Sequence, residues 1–246
     1  LDFGKSAPVD MARVEAALRA DREGRIKAVL TTHVDTASTI RTDIAALRAV
    51  IDAAGHDALL AVDCIASLGC DEYRMDDWGA DVTVAASQKG LMTPPGIGFV
   101  WFNAKARAAT AGSNLKTPYW DWLPRADATE FWQIWDGTAP THHLFGLREA
   151  LTMIKEEGLP QVWHRHDVLA RAVWAAFDCW AAGNPDIGLN VADPAHRGRS
   201  VTAALAMDSN SLGRANARTS ARPFTSLSQR TSPLSRSLSR FKPGSM

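Results

Sequence analysis

A carboxylate and an amine stand at the ends of two short apolar runs of the chain. Asp63 closes the run Ala58–Val62, and Lys89 follows the run Val82–Ala86 after two polar residues. Each run is short and bounded by polar or glycine residues, which is typical of a buried strand in a parallel sheet. Open α/β sheets bind ligands at the carboxyl ends of their strands, so we expect the two groups to share one crevice.

An amine and a carboxylate in one crevice are the pair that pyridoxal 5′-phosphate requires. The aldehyde of this cofactor forms a Schiff base with a lysine, and its ring nitrogen needs a carboxylate to stay protonated. Each residue taken alone has an ordinary explanation, Lys89 as a surface lysine and Asp63 as a turn or helix-capping residue. Their occurrence together, with the further motifs described next, favours a site for the cofactor.

Several stretches of the sequence resemble the class V, fold-type-I aminotransferases, specifically the serine–glyoxylate and alanine–glyoxylate branch. These stretches are Thr32–Thr36, Val62–Gly69, Met75–Gly79, Ala86–Gly90 and Gly137–Thr141, the last followed by Leu147–Leu151. The separation of 26 positions between Asp63 and Lys89 (89 − 63) fits the family pattern. The likeness runs from about Leu1 to Thr202.

The resemblance implies a role for five residues. Lys89 would form the Schiff base and carry the proton, and Asp63 would hold the ring nitrogen. Thr36 matches a small hydroxyl residue that contacts the ring oxygen of the cofactor, and Gln88 matches a glutamine used in holding the phosphate. Thr138 matches a residue that reaches the phosphate of the neighbouring subunit, which implies a homodimer.

The order of predicted elements favours an α/β fold with a mostly parallel sheet flanked by helices. Capped helices are predicted after Asp10 and after Asp43. Strands are predicted over 28–32, 58–62, 82–86 and 97–102. The turn Pro94–Gly96 indicates that the last strand is antiparallel. The resemblance narrows this to the fold-type-I transferases of pyridoxal phosphate, with an incomplete small C-terminal domain.

Three regions are expected along the chain. Residues 1–160 would form part of the large cofactor-binding domain, and 161–207 a connecting helix and the start of the small domain. From residue 208 onward Ser and Arg dominate, and Asp208 is the one acidic residue. Such a tail, 208–246, cannot bury enough apolar surface to offset its ordering entropy, so it is expected to be disordered or non-native. Because the small domain of the family should continue here, a misread frame or an artificial junction is the favoured explanation.

Other parts of the family pattern have no counterpart in this sequence. The phosphate loop and ring-stacking aromatic of the family would precede Leu1, and the arginine that clamps the substrate carboxylate would follow the matching region. A fragment is therefore expected.

The composition argues against several classes of function. The chain has 246 residues, 22% charged, with a formal net charge of +0, which disfavours a nucleic-acid partner. No apolar run approaches the length of a membrane span. The three scattered cysteines suit a reduced, cytoplasmic protein. Neither the cysteines nor the histidine pairs (His142-His143, His164 and His166) have the spacing of metal ligands, and His33 is interpreted as structural.

The resemblance implies a transaminase that moves an amino group from serine or alanine to glyoxylate or a similar 2-oxo acid. Two alternatives stay open. One is an inactive remnant of such an enzyme. The other is a different class V activity such as cysteine desulfuration, although that branch has a histidine where this chain has Gln88. The identity of the amino donor is not fixed by the sequence.

Overall fold

The computed structural model of the protein describes residues 1–206, and the Ser/Arg-rich stretch 208–246 lies outside the described residues. Its helices are α1 (Met11–Ala20), α2 (Ile44–Ala53), α3 (Ala104–Ala109), α4 (Leu123–Ala126), α5 (Phe131–Trp135), α6 (Thr141–Glu157) and α7 (Leu159–Gly183). Its strands are β1 (Ala28–Thr32), β2 (Leu59–Asp63), β3 (Val82–Ala86), β4 (Gly98–Phe102), β5 (Ile187–Leu189) and β6 (Ala204–Ala206). Short 3₁₀ turns cover Thr110–Gly112 and Pro194–His196.

Four strands form the main sheet in the order β1-β2-β3-β4. The first three are parallel, and β4 runs antiparallel to β3. The register pairs Thr32 with Asp63 and Asp63 with Val84, so the carboxyl ends of the parallel strands lie side by side. The predicted α/β class, mostly parallel sheet and antiparallel last strand are confirmed, with β2 and β4 each beginning one residue later than predicted.

The helices α1 and α2 bury their apolar sides against the sheet. Asp10 and Asp43 cap them as predicted, since each carboxylate accepts backbone N–H groups of the first turn at 2.9–3.2 Å. Leu60 and Val62 alternate toward this core along β2. The remaining buried members of the core are Val14, Leu18, Ile44, Leu47, Ile51, Cys64, Ala80 and Ala85.

A buried carboxylate, that of Asp81, links the strands at the end of the sheet where β2 and β3 begin. Asp81, directly before β3, accepts the backbone N–H of Leu60 at 2.8 Å and the Nδ2 of Asn103 at 2.8 Å. The guanidinium of Arg48, from α2, lies 3.5 Å from the same side chain. Because a buried charge is costly unless it is paired and hydrogen-bonded, these contacts fix three strands and a helix relative to one another.

The aromatic-rich region 104–141 contains three short helices, α3, α4 and α5. The long helices α6 and α7 follow, and α7 lies where the connecting helix is predicted. Within residues 1–206, none of the helices is long and apolar enough to cross a membrane.

Residues 190–199 pack against the loop that follows β1. The Asn190 Nδ2 donates to the carbonyl of Ser38 at 2.7 Å, and the Gly198 N–H donates to that of Thr39 at 2.9 Å. The N–H of Arg41 donates to the carbonyl of His196 at 2.7 Å. The late part of the chain therefore supports the carboxyl end of β1, while the proposed division at residues 160 and 207 stays a prediction.

Two glycines form the closest approach between the loops that follow β2 and β3. A Cβ added to Gly90 would collide with the carbonyl oxygen of Leu68 and stand 2.8 Å from the Sγ of Cys70. A Cβ added to Gly69 would stand 3.1 Å from the carbonyl oxygen of Gly90, and Gly69 has a φ of +82° that other residues rarely adopt. The loop that begins at Asp63 and the loop that carries Lys89 thus touch backbone to backbone.

We expect Gly90→Ala to lower the free energy of unfolding by about 1–3 kcal/mol, because the loops must separate to admit the methyl group. Urea unfolding followed by circular dichroism measures the change. The matched control is Gly146→Ala in α6, where nothing lies within 4 Å and alanine favours the helix, so its stability should be equal or higher. Equal stabilities of Gly90→Ala and wild type would contradict the close approach.

Candidate active site

The loop that carries Lys89 is a closed turn anchored by a buried serine. The N–H of Ser87 donates to the carbonyl of Ile97 at 3.0 Å, and its own carbonyl accepts the Oγ1 of Thr93 at 3.0 Å. The N–H of Met92 closes a turn on the carbonyl of Lys89 at 2.9 Å. Ser87 is fully buried, whereas Gln88 and Lys89 are exposed. The anchor therefore presents the lysine outward from the end of β3.

Asp63 lies half-buried at the carboxyl end of β2. Its Oδ1 accepts the N–H of Ile65 at 2.8 Å, and its carbonyl accepts the N–H of His33 at 2.8 Å. Within the described residues its Oδ2 accepts no hydrogen bond. The carboxylate is thus oriented by the backbone and keeps one oxygen available.

A cavity of about 370 Å³ opens beside these loops. Thr36, Ala66 and Lys89 line it from the loops that follow β1, β2 and β3. The cavity therefore lies at the carboxyl ends of the parallel strands, where ligands bind in open α/β sheets. Its volume is within the usual range of sites for small molecules.

Two of the five predicted site residues, Lys89 and Thr36, line the cavity. Asp63 does not line it, although Asp63 precedes the lining residue Ala66 by three positions. Gln88 is exposed beside the lysine, and Thr138 is exposed on the connection between α5 and α6, away from the cavity lining. The roles of all five residues stay predictions.

The opposite wall of the cavity comes from α7 and was missed by the sequence analysis. Val162, Arg165 and His166 line it at positions i, i+3 and i+4, which share one side of a helix. The His166 Nδ1 donates to the carbonyl of Val162 at 2.8 Å. The Arg165 Nε and Nη2 bind the Glu157 carboxylate at 2.7 and 2.9 Å. The helical spacing was the available signal, but it did not reveal what the helix faces.

A further wall is formed by Ser200 and Val201, and a buried ion pair holds it in place. The side chain of Asp71 is fully buried and accepts both the backbone N–H of Arg199, at 3.1 Å, and its Nη1, at 3.3 Å. The Arg199 Nε also binds the Asp167 carboxylate at 2.7 Å. Burial raises the pKa of Asp71, and its arginine partner offsets part of that effect.

His33 is buried beneath the site in a cluster of aromatic rings. Its ring centroid lies 5.3 Å from that of Tyr73 and 5.6 Å from that of Trp78, and neither ring nitrogen has a hydrogen-bond partner within the described residues. Burial, followed by the charges of Arg41 and Arg199, lowers the pKa of His33 to about 4. The neutral ring packs as an apolar group, in keeping with the structural interpretation.

Within residues 1–206, no three His, Cys, Asp or Glu side chains come together in an arrangement that could hold a metal ion.

Known proteins are similar to this chain in sequence and in fold. The sequence family described as aminotransferase class V matches residues 6–205, and the chain belongs to this family. A serine–glyoxylate aminotransferase of Methylorubrum extorquens is 42% identical over 68% of this chain and 43% of its own length. An L-aspartate–glyoxylate aminotransferase of Paracoccus denitrificans is 41% identical over 72% of this chain and 44% of its own.

Solved structures show the same fold. An alanine–glyoxylate aminotransferase from Nostoc sp. superposes with a TM-score of 0.72 at 24% identity, over 83% of this chain and 52% of that one. The predicted fold type I is therefore confirmed. The chain spans less than half the length of the two curated relatives named above.

We expect stability to depend on pH through His33. Its pKa of about 4 in the folded protein lies below the 6.5 of an unfolded histidine, so the unfolded state binds more protons between these values. The contribution is complete above pH 6.5 and is lost as the pH falls toward 4, by about 3 kcal/mol in total. Urea unfolding measured at several pH values tests this.

The variant His33→Phe keeps a ring in the cluster but cannot be protonated, so the loss of stability between pH 6.5 and 4 should shrink by about 3 kcal/mol. The exposed His164→Gln leaves the cluster intact and should behave as wild type. An unchanged pH profile in His33→Phe would show that His33 does not carry the effect.

Proposed function

We propose that the chain carries the cofactor lysine of a pyridoxal 5′-phosphate-dependent aminotransferase. The reaction we propose moves an amino group from serine or alanine to glyoxylate or a similar 2-oxo acid. The observation that carries the proposal is the cavity at the carboxyl ends of β1–β3, into which Lys89 and Thr36 project from separate loops. Membership of the class V family, and the names of the two relatives, support it.

Lys89 and Thr36, which line the cavity, and Asp63, which lies outside the lining at the end of β2, offer groups that suit this cofactor. Lys89 offers an exposed amine, Thr36 a hydroxyl group, and Asp63 a carboxylate oxygen that no described residue engages. The contact of Gly90 with the loop after β2 brings the amine and carboxylate loops together without intervening side chains. When bound, the cofactor supplies an aldehyde that links covalently to an amine and a ring that withdraws electrons from the substrate carbon.

Lys89 has two tasks in this proposal. Its amine would hold the cofactor covalently, and as a free base it would move the proton at the substrate Cα. An amine can do this because it is a base when neutral and an acid when protonated. The turn between Lys89 and Met92 and the buried Ser87 keep the side chain directed at the cavity.

Asp63 is proposed to hold a proton on the ring nitrogen. Its negative charge favours the protonated ring, and the N–H of Ile65 fixes the orientation of the carboxylate. Thr36 is proposed to contact the ring oxygen, and Gln88 to help hold the phosphate. These four residues would bind and orient the ring, while the cavity wall from α7 limits access of water.

We propose a homodimer in which Thr138 serves the neighbouring subunit. The residue is exposed and does not line the cavity of its own chain. Large aromatic side chains of the same region are also exposed, as is common in surfaces that bind another chain. They are Tyr119, Trp120, Phe131 and Trp132. A cytoplasmic location stays a prediction that rests on the cysteine pattern.

Cysteine desulfuration is less well supported. Burial raises the pKa of Cys64 to about 12 and that of Cys70 to about 11, so neither thiol is the reactive thiolate that this chemistry needs. Gln88, not a histidine, precedes the lysine. The alternative of an inactive remnant is decided by whether the chain links to the cofactor.

Incubation with equimolar pyridoxal 5′-phosphate followed by borohydride reduction should modify the peptide that contains Lys89, as measured by mass spectrometry. The variant Lys89→Ala should lose this modification, while Lys155→Ala, which removes an exposed lysine of α6, should keep it. Absence of labelling in wild type would favour the inactive remnant. Labelling that is spread evenly over surface lysines would contradict the assignment of Lys89.

The variant Asp63→Asn keeps the shape of the side chain and the oxygen that accepts the N–H of Ile65, but it removes the negative charge. We expect labelling of Lys89 to persist and the rate of the half-reaction with serine or alanine to fall roughly 100- to 1000-fold, the usual cost of a lost electrostatic contact. Stopped-flow absorbance of the loaded protein measures the rate, with the exposed Asp77→Asn as control. Equal rates in Asp63→Asn and wild type would refute the role at the ring nitrogen.

A further inference from the structure

The loop between β3 and β4, residues 87–97, forms one wall of the cavity. Lys89, Gly90 and Met92 of this loop all line the cavity. Met92 has a φ of +59°, a left-handed conformation that residues with a side chain rarely adopt and that persists only where surrounding contacts hold it. The position of the lysine therefore depends on what holds this loop in place.

The two arms of the loop are tied to each other. The Oγ of Ser87 donates to the carbonyl of Pro94 at 3.2 Å, and the N–H of Thr93 donates to the carbonyl of Ser87 at 3.2 Å. These bonds connect the turn Pro94–Gly96 to a residue that lies two positions before Lys89. A displacement of the turn would therefore also displace the segment that carries the lysine.

A histidine of α6 holds the turn from outside the loop. The Nε2 of His143 lies 3.1 Å from the carbonyl oxygen of Pro95, and because a carbonyl can only accept, this nitrogen is the donor. The ring also lies directly against Gly96, where an added Cβ would stand 2.6 Å from Nε2 and 2.8 Å from Cδ2. One side chain thus fixes the turn by a hydrogen bond and by close packing.

We propose that His143 is a positioning residue for Lys89. It holds the turn of the loop against α6, so that the loop presents the amine to the cavity. His143 is not among the described residues that line the cavity, so it acts through the loop and not on the substrate. This inference rests on the proposed function, because the position of the amine matters only where the amine reacts.

Hydrogen–deuterium exchange of the full chain without cofactor tests the contact. In His143→Ala the N–H groups of Met92 and Thr93 should exchange roughly three- to tenfold faster, as expected when a hydrogen bond that limits local opening is lost. Exchange in the rest of α6 should stay unchanged, which separates a loosened loop from a loosened helix. The matched control is His142→Ala, which removes the exposed neighbouring ring and should leave the exchange of the loop as in wild type.

Borohydride trapping measures the consequence for the amine. The fraction of Lys89 modified over a range of pyridoxal 5′-phosphate concentrations should give a half-saturation concentration roughly three- to tenfold higher in His143→Ala than in wild type or His142→Ala. His143→Gln places an amide donor at the same helical position and should restore both the exchange and the half-saturation concentration. His143→Leu fills the space without a donor and should not. Circular dichroism of each variant checks that the fold is retained.

Three results would overturn the inference. One is unchanged exchange of the loop in His143→Ala, and another is faster exchange with an unchanged half-saturation concentration, since His143 would then stabilise the loop without positioning the amine. The third is a loss in His143→Gln that equals the loss in His143→Ala. Each of these, with Lys89 labelled in wild type, refutes the positioning role alone, whereas absence of labelling in wild type refutes the proposed function and the positioning role with it.

Discussion

The site depends on the direct backbone contact between Gly69 and Gly90. Two loops leave neighbouring parallel strands, one after Asp63 and one before Lys89, and side chains would normally keep such loops apart. With hydrogen in place of Cβ at both positions, the carbonyl of one loop rests against the backbone of the other. The distance between the carboxylate loop and the amine loop is therefore set by van der Waals contact between the two backbones and not by adjustable side chains.

Buried acids hold the framework around this contact. Asp81 ties the amino ends of the strands to Arg48 of α2, and Asp71 ties the chain near Arg199 to the loop after β2. Each buried carboxylate is satisfied by backbone N–H groups as well as by a guanidinium group, which offsets the cost of removing it from water. The pair of Asp81 and Arg48 fixes the end of the sheet where β2 and β3 begin. The pair of Asp71 and Arg199 fixes a wall of the cavity.

Different parts of the fold contribute the side chains that line the cavity. The sheet side supplies Lys89 and Thr36 on short, anchored loops, and the helix side supplies Arg165 with its plane fixed by Glu157. The two cationic side chains of the cavity lining thus come from separate parts of the fold. Relatives that are 42% and 41% identical to the chain bear names with different amino donors, so overall similarity does not select the donor.

The sequence by itself determined the elements and the position of the amine. Local chemistry sufficed for this: Asp10 and Asp43 cap helices within three residues of themselves, and a short apolar run that ends in a polar residue places Lys89 at a strand end. Only the tertiary structure decided what faces that amine. The pair of Asp71 and Arg199 joins positions 128 residues apart, and no local pattern specifies that Arg165 lines the same cavity as Lys89, because the placement of α7 depends on contacts between distant parts of the chain.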